Sequence, residues 1–133
     1  MLSTLLIVGL LGLQTITAKP AVLPDTPQGQ HVDAYIKAFN SGNEKTFLAA
    51  NDKVMAPEFL AKRPASDRSA LFKRMRGDFD TLQIVRVVKA TPQQIAFVAM
   101  LKDGAEGTFT FDFEDKTPFR ISRLAIEVET REP

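Results

Sequence analysis

With 133 residues and no cysteine, the chain has no disulfide, no thiolate nucleophile, no zinc–cysteine site and no cysteine to acylate, so its stability must come from packing. The 44% apolar and 25% charged residues match an ordinary globular protein with one core. Seventeen basic against sixteen acidic side chains leave a net charge of +1, far from the basicity that phosphate-backbone binding requires, which sets nucleic acid aside as a partner.

Residues 1–18, MLSTLLIVGLLGLQTITA, carry no charged side chain, an apolar run from Leu5 to Leu13, and a small residue, Ala18, before the first charge at Lys19. That is the shape of a secretory signal peptide cleaved near Ala18, and it predicts a secreted or periplasmic protein. The run is shorter than the roughly 20 residues a membrane-spanning helix needs. An uncleaved N-terminal anchor is the alternative, and no other membrane contact is expected. Residues 19–25 hold two prolines and no periodic pattern, as in a short tether, which leaves 26–133 as the single folded domain.

Thr26 can cap a first helix with Pro27 at its opening position. Val32, Tyr35, Ile36 and Phe39 then recur at the i, i+3, i+4, i+7 spacing of a buried stripe, and Gly42 supplies a left-handed stop. Asn43 can cap a second helix with Phe47 and Leu48 inward, and Pro57 can open a short third one carrying Phe59 and Leu60. Ser66 is the expected cap of a fourth helix whose stripe, Leu71, Phe72 and Met75, ends at Gly77.

From Thr81 the period changes from that of a helix to that of a strand. Four runs follow, Leu82 to Ala90, Gln94 to Leu101, Gly107 to Glu114 and Phe119 to Glu129, separated by turn residues. Phe109, Phe111 and Phe113 share one face of the third run, with Thr108, Thr110, Asp112 and Glu114 on the other. The second run is apolar on both faces and is expected inside the sheet. In the fourth, apolar parity slips between Ile121 and Leu124, which a bulge near Ser122 would explain. The prediction is an α+β fold, N-terminal helices packed on a curved four-stranded antiparallel sheet.

The segment AYIKAFNSGN, Ala34 to Asn43, resembles the aromatic-x-x-Ala-Phe-Asn-x-Gly-Asp opening of nuclear-transport-factor-2-like domains, the cone-shaped α+β group that includes SnoaL-like proteins and ketosteroid isomerase. Asn43 stands where Asp is commoner. The stretch from Ala56 to Val87, with its Leu60, Arg63-Pro64, Arg68 and Asp78-Phe79 spacing, is similar to the version of this domain that accompanies secreted serine hydrolases of the β-lactamase type. The resemblance implies an accessory domain, since those hydrolases place catalysis in a separate domain with a Ser-x-x-Lys nucleophile motif. None of Ser3, Ser41, Ser66, Ser69 or Ser122 begins that motif.

Candidate sites are few. His31 is the only histidine, and its helical angle puts it on the edge of the first helix; with Asp33 two residues on and no second histidine, a metal site is not expected. Arg68 precedes Phe72 by four and Met75 by seven, which places a guanidinium on an apolar stripe. Its structural reading is a buried, bidentate pair with a carboxylate; its functional reading is an anchor for an anionic ligand. Asp112 and Glu114 could be a paired acid and base, or simply a solvated strand face. Between Lys53 and Arg76 seven basic side chains face two acidic ones, which reads as a solvated helix face or a surface that steers an acidic partner.

These observations favour a secreted, non-catalytic accessory or small-ligand-binding module that needs no cofactor. Arg68, Tyr35, Phe39, Phe97 and Phe111 are its candidate ligand contacts. Its candidate partners are a second copy through the sheet, a serine hydrolase, and a small apolar or acidic ligand. The alternative is a small cone-fold enzyme of isomerase or hydrolase type. Polar groups converging inside the cone would mark the enzyme, whereas Phe39, Phe47, Phe97 and Phe111 could fill the interior of a module.

Overall fold

The computed structural model describes residues 22–129; the expected signal peptide, the first part of the tether and residues 130–133 lie outside the described residues. Four helices, α1 (Pro27–Asn40), α2 (Glu44–Val54), α3 (Pro57–Lys62) and α4 (Ala65–Phe79), precede four strands, β1 (Ile84–Ala90), β2 (Gln94–Met100), β3 (Glu106–Phe113) and β4 (Ile121–Val128). The strands form one antiparallel sheet in the order β1-β2-β3-β4. This is the expected α+β arrangement, helices first and sheet second, with β2 an inner strand. Among the described residues no helix is long and apolar enough to cross a membrane.

The starts of α1 and α2 follow from local chemistry. The Thr26 side chain accepts from Gly29 N at 3.1 Å and Pro27 opens α1; Asn43 Oδ1 accepts from Thr46 N at 2.9 Å and caps α2. Gly42, at φ 73°, takes the left-handed conformation between them. The chain before α1 is more than a tether at its end, because Leu23 packs against the core.

α4 departs from expectation at both ends. Pro64, not Ser66, stands at its N-cap position: the proline ends the preceding turn, and its carbonyl accepts from Asp67 N and Arg68 N. At the other end the helix runs through Gly77 to Phe79 and stops at Asp80, which has φ 67°. A mid-helix glycine costs about 1 kcal/mol, and burying the Phe79 ring returns about 1.5–3 kcal/mol. Arg76 holds the unusual Asp80 backbone by donating from Nη1 to its carbonyl oxygen, while its guanidinium lies 5.6 Å over the Phe39 ring.

The sheet curls because its edge strands are bulged. Ser122 is the extra residue between the pairs Asp112↔Arg123 and Phe113↔Ile121, where the parity slip predicted it. β1 carries two more irregularities, between Ile84 and Arg86 and between Val87 and Lys89, which its valine-rich sequence does not announce. The concave face, Ile95 and Phe97 on β2 and Phe109, Phe111 and Phe113 on β3, is buried against α1, α2 and α4. Gly107 on that face admits the Phe79 ring; a Cβ there would stand 3.0 Å from Phe79 Cζ.

The convex face carries the charge. Arg86 on β1 and Glu106 on β3 pair at 2.9 Å, and the hydrogen bond from Arg86 holds the Glu106 carboxyl below its usual value. Asp112 accepts from Gln94 Nε2 at 2.7 Å and pairs with Arg123 at 3.3 Å.

Candidate functional site

A cavity of about 510 Å³ opens between the helices and β4. Its existence follows from how the second and third helices meet the sheet. Met55 forms an isolated bridge to Ile121, and Ala56 N donates to Ile121 O at 2.8 Å, so the α2–α3 junction is tied to the first residue of β4. Beyond that tie, the cavity lies between the helices and β4. Leu124 and Ile126 then form one wall, half-buried although their strand position points them at the helices.

Two neighbouring stripes run along α4, and the second supplies the opposite wall. Arg68, Phe72, Met75 and Phe79 form its buried stripe. Asp67, Ala70, Leu71 and Arg74, at i, i+3, i+4 and i+7, form a second stripe that lines the cavity. Leu71 therefore belongs to the cavity wall more than to the core. Arg63, Met55, Phe59, Asn51 and Tyr35 complete the lining. Three guanidinium groups, Arg63, Arg68 and Arg74, thus share one cavity with a single carboxylate, Asp67, beside the apolar side chains of Met55, Phe59, Leu71, Leu124 and Ile126.

Arg68 is buried, its side chain only 10% exposed, as its position on the apolar stripe predicts. Its partner is different from the one expected. Nε donates to the Arg63 carbonyl at 2.8 Å, and Nη1 reaches Asp52 Oδ1 at 3.5 Å, but the Asp52 side chain is 66% exposed. Among the described residues no buried carboxylate holds this arginine in bidentate geometry. An ion pair with one partner in water contributes no more than about 1 kcal/mol.

Tyr35 and Asn51 bring polar atoms to the buried end of the cavity. Burial pushes the Tyr35 phenol above its usual value of 10.0, and among the described residues its hydroxyl donates to the weak acceptor Met75 Sδ at 3.8 Å. Asn51 Nδ2 donates one of its two N–H groups to Phe47 O at 2.6 Å, and the amide oxygen is an acceptor. Because folding favours the neutral phenol, the Tyr35 contribution is fully present below the unfolded value and is lost as pH rises above about 10. Tyr35→Phe is accordingly expected to be near wild type in stability at neutral pH and to resist alkaline unfolding better. Urea melts at pH 7 and above pH 10 check this; parallel pH profiles for the two proteins would reject it.

Of the five candidate contacts read from the sequence, the structure brings Arg68 and Tyr35 to the cavity. Phe39, Phe97 and Phe111 are fully buried and lie outside its lining: Phe111 meets Tyr35 edge-on at 5.4 Å, Phe97 stacks on Phe109 at 5.2 Å, and Phe39 packs on Phe72 at 5.6 Å. They fill the core between the sheet and the helices. Asp112 is taken up by Gln94 and Arg123, and Glu114 Oε1 accepts from Arg120 N at 2.9 Å, so both have structural partners away from the cavity. His31 bonds the Pro118 carbonyl at 2.8 Å, tying α1 to the turn before β4.

Asn51, Met55, Phe59, Arg63, Arg74, Leu124 and Ile126 were not foreseen as a set. They come from five separate stretches of chain, and the only local signal among the lining residues is the second stripe of α4. Among the described residues no three His, Asp or Glu side chains gather as a metal-ligand group. No protein-family model matches the chain, and neither does any curated protein.

Proposed function

We propose that the chain is an exported, non-catalytic module of the nuclear-transport-factor-2-like kind that takes up a small ligand, in the manner of the accessory domain of a secreted serine hydrolase. One observation carries the reading: the cavity between α2, α3, α4 and β4 is of ligand size, with an apolar wall and exposed charged groups at its opening. The order of elements and the Asn40–Gly42 turn support the family reading. Binding is favoured over catalysis because the cavity has no pair of groups suited to proton transfer. Its one carboxylate, Asp67, is exposed, and its one phenol, Tyr35, is held neutral by burial.

Native mass spectrometry of protein purified from its own source tests both halves of this proposal. The expected spectrum shows an N-terminus near Lys19 and an additional mass of small-molecule size that leaves on denaturation. An intact Met1 in a cytosolic fraction would reject export, and bare protein from every preparation would reject the binding module.

A further inference from the structure

Among the features of this molecule, the under-partnered arginine at the cavity is the one whose chemistry specifies a ligand. An arginine presents five N–H donors in a planar fork and loses much of its hydration when buried. For Arg68 the described partners account for Nε and, at 3.5 Å, for one contact of Nη1. Among the described residues no fully buried side-chain nitrogen or oxygen lacks a hydrogen bond, so the remaining Arg68 donors open onto space, and Arg68 lines the cavity. Arg63 and Arg74 stand at the same opening, and Asp67 offsets one charge of the three.

The rest of the lining points to the other half of the ligand. Met55, Phe59, Leu71, Leu124 and Ile126 present a wall with no charge, while Tyr35 and Asn51 at the buried end offer one hydroxyl and one amide oxygen. A bare inorganic anion would leave that wall wet, and a neutral apolar molecule would leave Arg68 desolvated without a partner. We propose that the cavity takes an anionic amphiphile, a carboxylate on a short apolar tail, with the carboxylate gripped by Arg68 and flanked by Arg63 and Arg74. This inference rests on the binding-module reading and adds the ligand class. The guanidinium fork suits a carboxylate in bidentate geometry, and the local positive excess draws it in.

Tyr35 is the only tyrosine and the chain has no tryptophan, so tyrosine emission reports on the cavity directly. The experiment titrates the protein with octanoate, 1-octanol and inorganic sulfate, reading that emission. Octanoate is expected to bind at least about tenfold more tightly than 1-octanol or sulfate, a difference of one charge-assisted contact. Arg68→Gln should reduce octanoate to the level of the alcohol. The double change Arg63→Gln with Arg74→Gln, at two exposed positions, should weaken octanoate and make the remaining affinity less sensitive to salt. Equal binding of octanoate and 1-octanol, or octanoate binding unchanged in all these variants, would overturn the anionic claim while leaving a ligand cavity in place. Sulfate binding as tightly as octanoate would remove the apolar half. Silence toward octanoate overturns the proposal, and the binding-module reading then stands or falls on the captured mass described above.

Discussion

Phe109→Ala is expected to lower the unfolding free energy by about 3–5 kcal/mol, the usual cost of truncating a buried phenylalanine. Phe109 is fully buried at the middle of β3, between Phe97 on one side and Ile126 on the other in the strand register. Its ring stacks on Phe97 at 5.2 Å and meets Phe79 edge-on at 5.3 Å. The alanine would therefore leave a hole touching β2, β4 and the last turn of α4, and strands fixed by hydrogen bonds cannot collapse into it. Thr108→Ala, one residue away on the convex face, is expected to cost less than about 1 kcal/mol. Equilibrium urea unfolding measures both. Equal effects at the two positions would mean that the two faces of β3 have been assigned wrongly.

Asn40→Ala is expected to cost about 2 kcal/mol, although Asn40 is an exposed residue at the end of α1. Its side chain clamps the chain just before β1 at two points. Nδ2 donates to Leu82 O at 3.0 Å, and Leu82 N donates to Oδ1 at 2.7 Å, while Leu82 itself is buried. A side-chain amide here stands in for a neighbouring strand, and it fixes where the chain enters the sheet after α4. Alanine would leave a backbone donor and acceptor of a buried residue without partners. Asn40→Asp should not rescue, since it keeps an acceptor for Leu82 N but sets its second oxygen against Leu82 O. Thermal melts of the three proteins check the order, wild type above aspartate and alanine; an alanine variant as stable as wild type would show that water replaces the clamp.

Much of this architecture was legible in the residues. The i, i+3, i+4, i+7 stripe of α1, the caps at Thr26 and Asn43, the Phe109-Phe111-Phe113 alternation and the parity slip at Ser122 are local signals, and local chemistry settles each. The irregularities at Val85 and Val88 were not legible, because Val85, Val87 and Val88 favour a strand whether or not the ladder is regular. Gly77 resembled a stop only until the burial of Phe79 two residues later is weighed, which is a tertiary fact. The cavity was half legible. The position of Arg68 on an apolar stripe announced its burial, but its partner depended on where Asp52 lies in space. The junction of Met55 with Ile121, which frames the cavity, joins residues far apart in the chain.

The central claim is that this cavity holds a small ligand, and native mass spectrometry of wild type beside Leu71→Trp tests it most directly. Leu71 is a half-buried wall residue on α4, so an indole at that position can extend into the cavity. Both proteins are prepared from the same source, and a matching thermal melt shows that the variant is folded. The account predicts an extra mass on wild type that is absent from Leu71→Trp. The same extra mass on both proteins, or on neither, would contradict it.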